Sequence, residues 1–322
     1  MNKEEFDYLG ITRWHELGYK GQGVTVASKE EIFEGMFDDV EVLHYGSDDK
    51  WTRHGTTIMD LISQIVPDAH KMAVSTSKST TTKGVFKCEG LEYLLERKPD
   101  ILTTSFFKTT DYNGPRKEMY KQLYDEGCYL ACAAGNDGRD GVNKIARDDY
   151  WKSIGACRLV KGKVVRAGFS SVGEELDYMG FDNLEVNWKD GKPDGTSYAS
   201  PVFASMLALV QCFFILQTGK KLTHEQLDKF IRDNCIDLEK DGRDDNTGYG
   251  LFILPDPEEI NIYKYSEVKM FKDYTEWKEA IYYLAEKGEM DSPSMWLKRI
   301  EYDTDVDLMW FCVKWANAVA RV

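Results

Sequence analysis

One long apolar run limits the folds that this chain can adopt more than any other feature of its sequence. The run extends from Pro201 to Leu216, and its polar side chains are those of Ser205 and Gln211. It is shorter than the roughly 20 residues that a membrane-spanning helix needs. A helix that is apolar on nearly every face must be buried at the centre of a folded protein. We therefore predict a central core helix that is apolar over residues 202–216.

A serine motif stands at the start of this predicted helix. The residues Gly195-Thr196-Ser197-Tyr198-Ala199-Ser200-Pro201 lead into the apolar run. The unpaired N–H groups and the positive dipole end of a helix favour negative charge that develops beside its first residues. Pro201 is expected in the first turn, where its missing N–H would have no partner. Ser197 is therefore a candidate nucleophile, although a serine is also an ordinary N-cap residue.

A histidine is predicted to open a second helix. The segment 55–65 has apolar side chains at helical spacing, namely those of Ile58, Leu61, Ile62 and Ile65. Of the five histidines, His54 alone stands at the start of such an amphipathic segment. Because histidine titrates near neutral pH, His54 is a candidate general base, while a purely structural histidine would fit the same pattern.

A third motif combines small residues with an asparagine. Residues 129–134 predict a strand of small side chains, and Gly135 and Asn136 follow it directly. The sequence Asn-Asp-Gly is common in turns. The alternative is functional: a side-chain amide held at a strand end can donate to a developing oxyanion.

Segments typical of strands and helices alternate along the chain, as in a parallel sheet flanked by helices. The predicted strands are 23–27, 70–75, 101–107 and 129–134, and the predicted helices include 55–65 and 116–126. A seam at Pro255-Asp256-Pro257 divides a domain of residues 1–255 from an aromatic-rich extension of residues 256–322. We predict that this extension is mostly helical, with helices at 275–287 and 305–320, and that it docks on the main domain or on a partner.

The composition excludes several classes of protein. The chain has 322 residues and a net charge of −14, which argues against binding to nucleic acid or to an anionic membrane. Its first twenty residues contain no apolar run of signal-peptide length. The seven cysteines lack zinc-ligand spacing and suggest free thiols in the cytoplasm. We expect no cofactor. Four hard-oxygen residues could still bind calcium or form a solvated turn, namely Asp241, Asp244, Asp245 and Asn246.

Taken together and in this order, the motifs resemble those of the subtilisin-like serine proteases (peptidase S8). His54-Gly55-Thr56 resembles the block around the catalytic histidine of that family. The segment 133–138 resembles its oxyanion-asparagine block, and 195–201 resembles its nucleophile block. Segments such as 11–27, 66–74, 169–180 and 247–254 extend the resemblance over roughly residues 11–254.

The resemblance implies a three-layer α/β fold with a mostly parallel central sheet, to which the helical extension is added. It also implies a serine endopeptidase that cleaves proteins or peptides through an acyl-enzyme. In that reaction Ser197 would be the nucleophile and His54 the general base and then acid. Asn136 and the Ser197 N–H would hold the oxyanion, as such donors do in acyl transfer. The residues beside the substrate would include Ser105, Phe106 and Gly135.

The sequence departs from the family pattern at the residue that orients the histidine. The family has an aspartate at the end of its first strand, and the matching position here is Glu30, or Glu31 if the alignment slips by one residue. A glutamate can orient an imidazole if the backbone retreats by about one methylene, roughly 1.5 Å. A solvated Glu-Glu pair is the structural alternative. Met59-Asp60 also replaces two small residues of the family, which predicts a slightly larger separation of the histidine helix from its neighbour.

Two functional classes therefore stay open. The first is an active protease. The second is a catalytically impaired pseudoprotease that binds polypeptides as a regulatory or interaction module, because Glu30 cannot replace the aspartate. The resemblance begins almost at the first residue, which leaves no room for a folding propeptide and suggests an intracellular protein. We expect the aromatic extension to restrain proteolysis or to recruit a substrate.

Overall fold

The computed structural model describes residues 2–47, 49–76, 79–83, 85–105, 114–189 and 191–265. Two compact units are distinguished: Met1–Phe213 with Thr223–Ile260 form the first, and the second includes Phe214–Leu222. The predicted helices 275–287 and 305–320 and the predicted substrate-binding residue Phe106 lie outside the described residues.

A mostly parallel sheet forms the centre of the first unit, as predicted. The strands are β1 (Thr25–Ser28), β2 (Val40–Leu43), β3 (His70–Val74), β4 (Thr80–Thr82), β5 (Val85–Lys87), β6 (Ile101–Thr104), β7 (Tyr129–Ala133), β8 (Trp151–Val160), β9 (Lys163–Arg166), β10 (Tyr178–Phe181), β11 (Cys235–Ile236) and β12 (Leu251–Phe252). Within the described residues the order across the sheet is β11-β12-β10-β8-β7-β6-β1-β3-β2. The pairs β8–β9 and β11–β12 are antiparallel, and β4–β5 form a separate hairpin.

Seven α-helices accompany these strands in the described part of the chain. They are α1 (Lys3–Tyr8), α2 (Ile11–Glu16), α3 (Lys50–Ile65), α4 (Glu89–Arg97), α5 (Gly114–Asp125), α6 (Thr196–Thr218) and α7 (His224–Asp233). The alternation of strand and helix builds the α/β fold that the sequence predicts.

The central strands place candidate site residues at one edge of the sheet. β1, β6 and β7 are neighbours, run parallel, and are almost wholly buried. Glu30 follows the end of β1, Ser105 follows β6, and Asn136 follows β7. Because the carboxyl ends of parallel strands lie at the same edge, residues that are far apart in sequence meet there.

Helix α6 is the predicted core helix. The whole helix has 23 residues and is long and apolar enough to cross a membrane, but 89% of its 18-residue apolar window is buried within the protein. The predicted place of Pro201 was wrong: α6 begins at Thr196, so Pro201 is its sixth residue and lies in the second turn. There its ring nitrogen cannot donate to the carbonyl oxygen of Ser197, four residues earlier.

Helix α3 begins five residues earlier than its apolar spacing predicts, at Lys50 instead of at 55. The side chain of Asp49 caps the helix and accepts hydrogen bonds from the N–H groups of Trp51 and Thr52. The first turn has one apolar residue, the exposed Trp51, and so carries no helical apolar spacing; this is why the prediction placed the start too late. His54 therefore lies in the second turn of α3, not at its opening.

Candidate active site

A cavity of about 680 Å³ brings together most of the residues that the sequence analysis singles out. Its lining includes His54, Ser105, Gly135, Asn136 and Ser197. These residues come from the ends of β6 and β7, from α3, and from the first turn of α6.

Glu30, not Glu31, is the carboxylate beside His54. The distance from Nδ1 of His54 to Oε2 of Glu30 is 3.4 Å, and the Glu30 side chain is 4% exposed. Glu31 is half-buried and makes no such contact. Of the two alternatives left open by the sequence, the structure brings Glu30 to the histidine.

Gly55 permits this approach of α3 to the segment that follows β1. A Cβ atom on Gly55 would collide with the carbonyl oxygen of Glu31 and would lie 2.8 Å from Cβ of Glu30. Real side chains do not come this close, so any other residue would push the helix away from Glu30. The glycine of the His-Gly-Thr motif therefore sets the distance between imidazole and carboxylate.

The carboxylate of Glu30 is incompletely satisfied. Its second oxygen, Oε1, is buried and has no hydrogen-bond partner among the described residues. The contact through Oε2 is at the long end of the hydrogen-bond range. A buried acceptor left unpaired costs free energy, so this site keeps a polar group at some expense to folding stability.

Ser197 is the second residue of α6, is buried, and lines the cavity. Its hydroxyl donates to the carbonyl oxygen of Ser105 over 3.3 Å. In return, the Ser105 hydroxyl donates to the carbonyl oxygen of Ser197 over 2.6 Å, which replaces the helical hydrogen bond that Pro201 cannot make. Ser105, predicted only to line the substrate site, thus also anchors the first turn of α6.

Asn136 is held by the residue that precedes Ser197. Its Oδ1 atom accepts hydrogen bonds from both the N–H and the hydroxyl of Thr196, each over 3.0 Å. Its Nδ2 group has no protein partner among the described residues and is left as a donor at the cavity. The sequence analysis missed this role of Thr196, although a hydroxyl directly before the candidate nucleophile was a visible signal.

Gly135 is required by the turn that carries Asn136. Its φ angle is +114°, which a residue with a side chain rarely adopts, and a Cβ atom would lie 2.8 Å from Oγ of Ser171. Its N–H donates to the hydroxyl of Thr196. The turn and the start of α6 are therefore joined at both Gly135 and Asn136.

An ion pair between the partly exposed Arg158 and the buried Asp182 supports the chain just before Ser197. The side chain of Asp182 is fully buried, pairs with Arg158 over 2.5 Å, and accepts from the N–H of Gly195 over 3.1 Å. Burial raises the pKa of Asp182, while its bonds to Arg158 and Gly195 act in the opposite direction. Neither charged residue belongs to a motif, and so the sequence analysis missed both.

Asp60 joins α3 to the segment between β10 and α6. Its Oδ2 atom accepts hydrogen bonds from the N–H of Asn187 and from the side chain of Gln64, each over 2.8 Å. Asp60, which stands where the family has a small residue, therefore has hydrogen-bond donors for its buried carboxylate.

The acidic segment proposed for calcium forms a hydrogen-bonded turn. The carboxylate of Asp244 accepts from the N–H groups of Lys240, Asn246 and Thr247 and from the hydroxyl of Thr247. The described residues contain no group of three or more histidine, cysteine or acidic side chains that could hold a metal ion.

The site combines a serine at the start of a buried helix, a histidine backed by a carboxylate, and an amide at the end of a neighbouring strand. These are the groups that the resemblance to the subtilisin-like serine proteases implies. No family model matches the chain. Over 213 residues the chain is 28% identical to the minor extracellular protease Epr of Bacillus subtilis, a match that covers 62% of this chain and 32% of the relative. Over 217 residues it is 26% identical to the major intracellular serine protease of the same organism, covering 62% of this chain and 64% of the relative.

The fold has a counterpart among solved structures. The prenylagaramide maturation protease PagA superimposes with a TM-score of 0.60 at 16% sequence identity, and the match covers 80% of this chain and 98% of the other. The matches to the two Bacillus relatives span about a third and just under two thirds of their lengths. Together these similarities confirm the predicted relationship to the subtilisin-like serine proteases.

Proposed function

We propose that the chain is a serine endopeptidase that hydrolyses protein or peptide substrates through an acyl-enzyme. Ser197 is the nucleophile, His54 is the general base and then the general acid, and Glu30 orients the imidazole. Asn136 and the N–H of Ser197 hold the oxyanion. The observation that carries the proposal is the meeting of Ser197, His54 and Asn136 around one cavity, with a buried carboxylate behind the histidine.

Each step of the proposed reaction uses a group that the cavity contains. His54 takes the hydroxyl proton of Ser197 as Oγ attacks the substrate carbonyl carbon, and the Glu30 carboxylate stabilises the imidazolium that forms. Two donors receive the oxyanion: Nδ2 of Asn136, oriented by Thr196, and the first-turn N–H of Ser197, for which the helix supplies no acceptor. The imidazolium then protonates the leaving amine, and water releases the acyl group by the reverse sequence.

Before it can attack, Ser197 must give up its hydrogen bond to Ser105. A rotation about its Cα–Cβ bond would release Oγ from that carbonyl at the cost of one neutral hydrogen bond, which is long at 3.3 Å. The carbonyl of Ser197 stays bonded to Ser105 throughout, so the helix start need not move.

Hydrolysis of a denatured protein substrate tests the proposal. The wild-type chain is expected to release new peptide termini, while Ser197→Ala and His54→Ala each lose this activity. Ser205→Ala is the matched control, because Ser205 lies in the same helix, is buried, and makes no hydrogen bond within the described residues. Loss of activity in the control as well would show that any change in α6 abolishes it.

One observation favours the pseudoprotease as a second candidate. The Glu30 carboxylate reaches His54 through a single 3.4 Å contact, and the Ser197 hydroxyl is bonded to a backbone carbonyl. A site held in this state would bind an extended polypeptide without cleaving it. If both the wild type and Ser197→Ala bind the denatured substrate and neither releases new termini, the pseudoprotease is supported.

We also propose a cytoplasmic setting and a regulatory or substrate-recruiting role for residues 256–322. Six described cysteines are free thiols, which fits a reducing compartment. Arg13 pairs with Asp256 over 3.0 Å, so a shortened chain should end at Ile260 to keep this contact. Unchanged kinetics in that variant would reject a regulatory extension.

A further inference from the structure

The hydrogen bond to Glu30 does not by itself fix the plane of the His54 imidazole. It joins Nδ1 to Oε2 of Glu30 over 3.4 Å and therefore acts at one atom of the ring. The χ2 torsion of a histidine is broad and sets the ring plane only weakly. The Ser197 hydroxyl does not hold the ring either, because it donates to the carbonyl oxygen of Ser105. Groups that pack against the imidazole must set its plane.

Two aromatic rings make such contacts with His54. The centre of the Tyr198 ring lies 5.4 Å from that of the imidazole, with an angle of 51° between the two planes. The Trp51 ring lies 6.2 Å away at an angle of 80°, and its side chain is exposed. Trp51 belongs to α3, the helix that also carries His54. Of the two rings, that of Tyr198 is the nearer and the one that comes from another element.

Tyr198 is fixed to the helix turn that carries the candidate nucleophile. It follows Ser197 directly in α6, and its N–H donates to the carbonyl oxygen of Gly195 over 3.0 Å. Ser105 anchors the same turn through the carbonyl of Ser197. The Tyr198 ring therefore ties the imidazole to the start of α6, while Glu30 ties it to the end of β1.

Tyr198 is neutral at the pH at which a histidine can act as a base. Burial raises the pKa of Tyr198 to about 12, and the negative charges of Glu30 and Asp194 act in the same direction. The Tyr198 hydroxyl makes no hydrogen bond within the described residues. The face of a neutral aromatic ring attracts a cation within about 6 Å of its centre. An imidazolium formed on His54 lies within that distance.

We propose that Tyr198 is a positioning residue for His54. Its ring sets the plane of the imidazole and stabilises the imidazolium that forms when Ser197 loses its proton. The inference rests on the proposed function. It assigns the role to the ring and not to the hydroxyl, so phenylalanine should replace this tyrosine and an aliphatic side chain should not.

Two substitutions that both remove the hydroxyl separate the ring from the hydroxyl. Tyr198→Phe should keep the kcat of the wild type for a peptide substrate. Tyr198→Leu should lower kcat about three- to tenfold, as expected for the loss of one cation–π contact. KM should change little, because the ring acts on His54 and not on the substrate. An equal fall of kcat in the two variants, or a change confined to KM, would overturn the inference.

Tyr249→Leu is the matched control. Tyr249 is 36% exposed, lies 5.6 Å from the Tyr178 ring between ring centres, and is outside the cavity. Its replacement should leave kcat at the wild-type value. Thermal unfolding gives the folded fraction to which each kcat is referred, so that destabilisation does not imitate a catalytic loss. A fall of kcat in Tyr249→Leu equal to that in Tyr198→Leu would overturn the inference.

The ring contact can also be measured without cleavage, in Ser197→Ala protein labelled with ¹³C at the histidine Cε1 atoms. The His54 signal is assigned by its absence when His54→Ala is added. Because a nearby aromatic ring shifts this signal, it should move when Tyr198→Leu is added and stay in place with Tyr198→Phe. A signal that moves in neither case would overturn the inference and leave the protease proposal intact. A signal that moves as expected, in a chain whose wild type cleaves no peptide, would support the positioning of His54 and reject the protease.

Discussion

Glu30 and Glu31 are adjacent in sequence, yet only Glu30 is buried against His54, at 3.4 Å from Nδ1. An acid that orients an imidazole does so by accepting its Nδ1–H and stabilising the imidazolium. The identity of this carboxylate depends on where β1 ends and on how closely α3 approaches. Local sequence alone does not fix either quantity to within one residue.

Replacement of Glu30 by glutamine should therefore lower kcat/KM by about 10³- to 10⁴-fold, because the amide cannot stabilise the imidazolium as a carboxylate does. Peptide hydrolysis measures the effect. Glu31→Gln, the half-buried neighbour, should stay near the wild-type value. Equal losses in the two variants would remove Glu30 from the proposed role.

Thr196→Val should lower kcat by about tenfold with little change in KM, since Nδ2 of Asn136 would lose its orientation but not its chemistry. Steady-state kinetics separate the two parameters. Thr196→Ser, which keeps the hydroxyl, should recover most of the rate. A variant that loses activity together with its thermal stability would instead indicate a structural role for Thr196.

Among single residues, the motifs point to Ser197, His54 and Asn136 as candidates without coordinates, because each combines a reactive group with a recognisable local setting, and the structure brings the three to one cavity. The residues that hold these three in place could not be predicted from the sequence. Thr196, Ser105 and Asp182 act through contacts with residues 60, 92 and 13 positions away in sequence. Such pairings depend on the packing of strands and helices and leave no local pattern.

Among the helices and strands, the contact that matters most for the site is the one that α3 makes at Gly55 with the segment after β1. The missing side chain of Gly55 lets the helix lie against the Glu31 carbonyl. The start of α3 itself was misplaced from sequence because the turn after the Asp49 cap has one apolar residue, Trp51, and no apolar spacing. Apolar spacing finds the buried face of a helix and not its ends.

Gly55→Ala should lower the free energy of unfolding by about 1–3 kcal/mol, since the added methyl overpacks a buried contact. It should also reduce activity by increasing the distance from His54 to Glu30. Thermal unfolding and peptide hydrolysis measure the two effects. Gly168→Ala is the control, because a Cβ atom there would have no heavy atom within 4 Å. Unaltered stability in Gly55→Ala would show that the helix can move at no cost.

For the whole molecule, the sequence predicts the parallel sheet and its central helix because both are long, apolar and regularly spaced. The predicted strands correspond to β1, β3, β6 and β7, whose residues are almost all buried. The sequence analysis did not predict β2, β8, β11 and β12, and β8 has ten residues, so short length alone does not explain the omissions. Buried polar groups also escape such analysis. His224 is an example: its ring lies 4.3 Å from that of Tyr124, and its Nε2 atom is buried without a partner in the described structure.

Burial lowers the pKa of His224 below the ordinary value of about 6.5, and the positive end of α7 acts in the same direction. The unfolded chain therefore binds this proton more readily, so the stability contributed above pH 6.5 is lost as the pH falls through and below that value. Between about pH 7.5 and pH 5.5 the melting temperature should fall less in His224→Phe than in the wild type. An equal fall in the two proteins would contradict this assignment.

The central claim is that Ser197 is a nucleophile activated by His54. Reaction with a fluorophosphonate, followed by mass spectrometry of the digested protein, tests it most directly. The account predicts one phosphonyl adduct, on the peptide that contains Ser197, and its absence in His54→Ala. No adduct on that peptide in the folded wild-type protein, or an adduct that forms equally fast without His54, would contradict the claim.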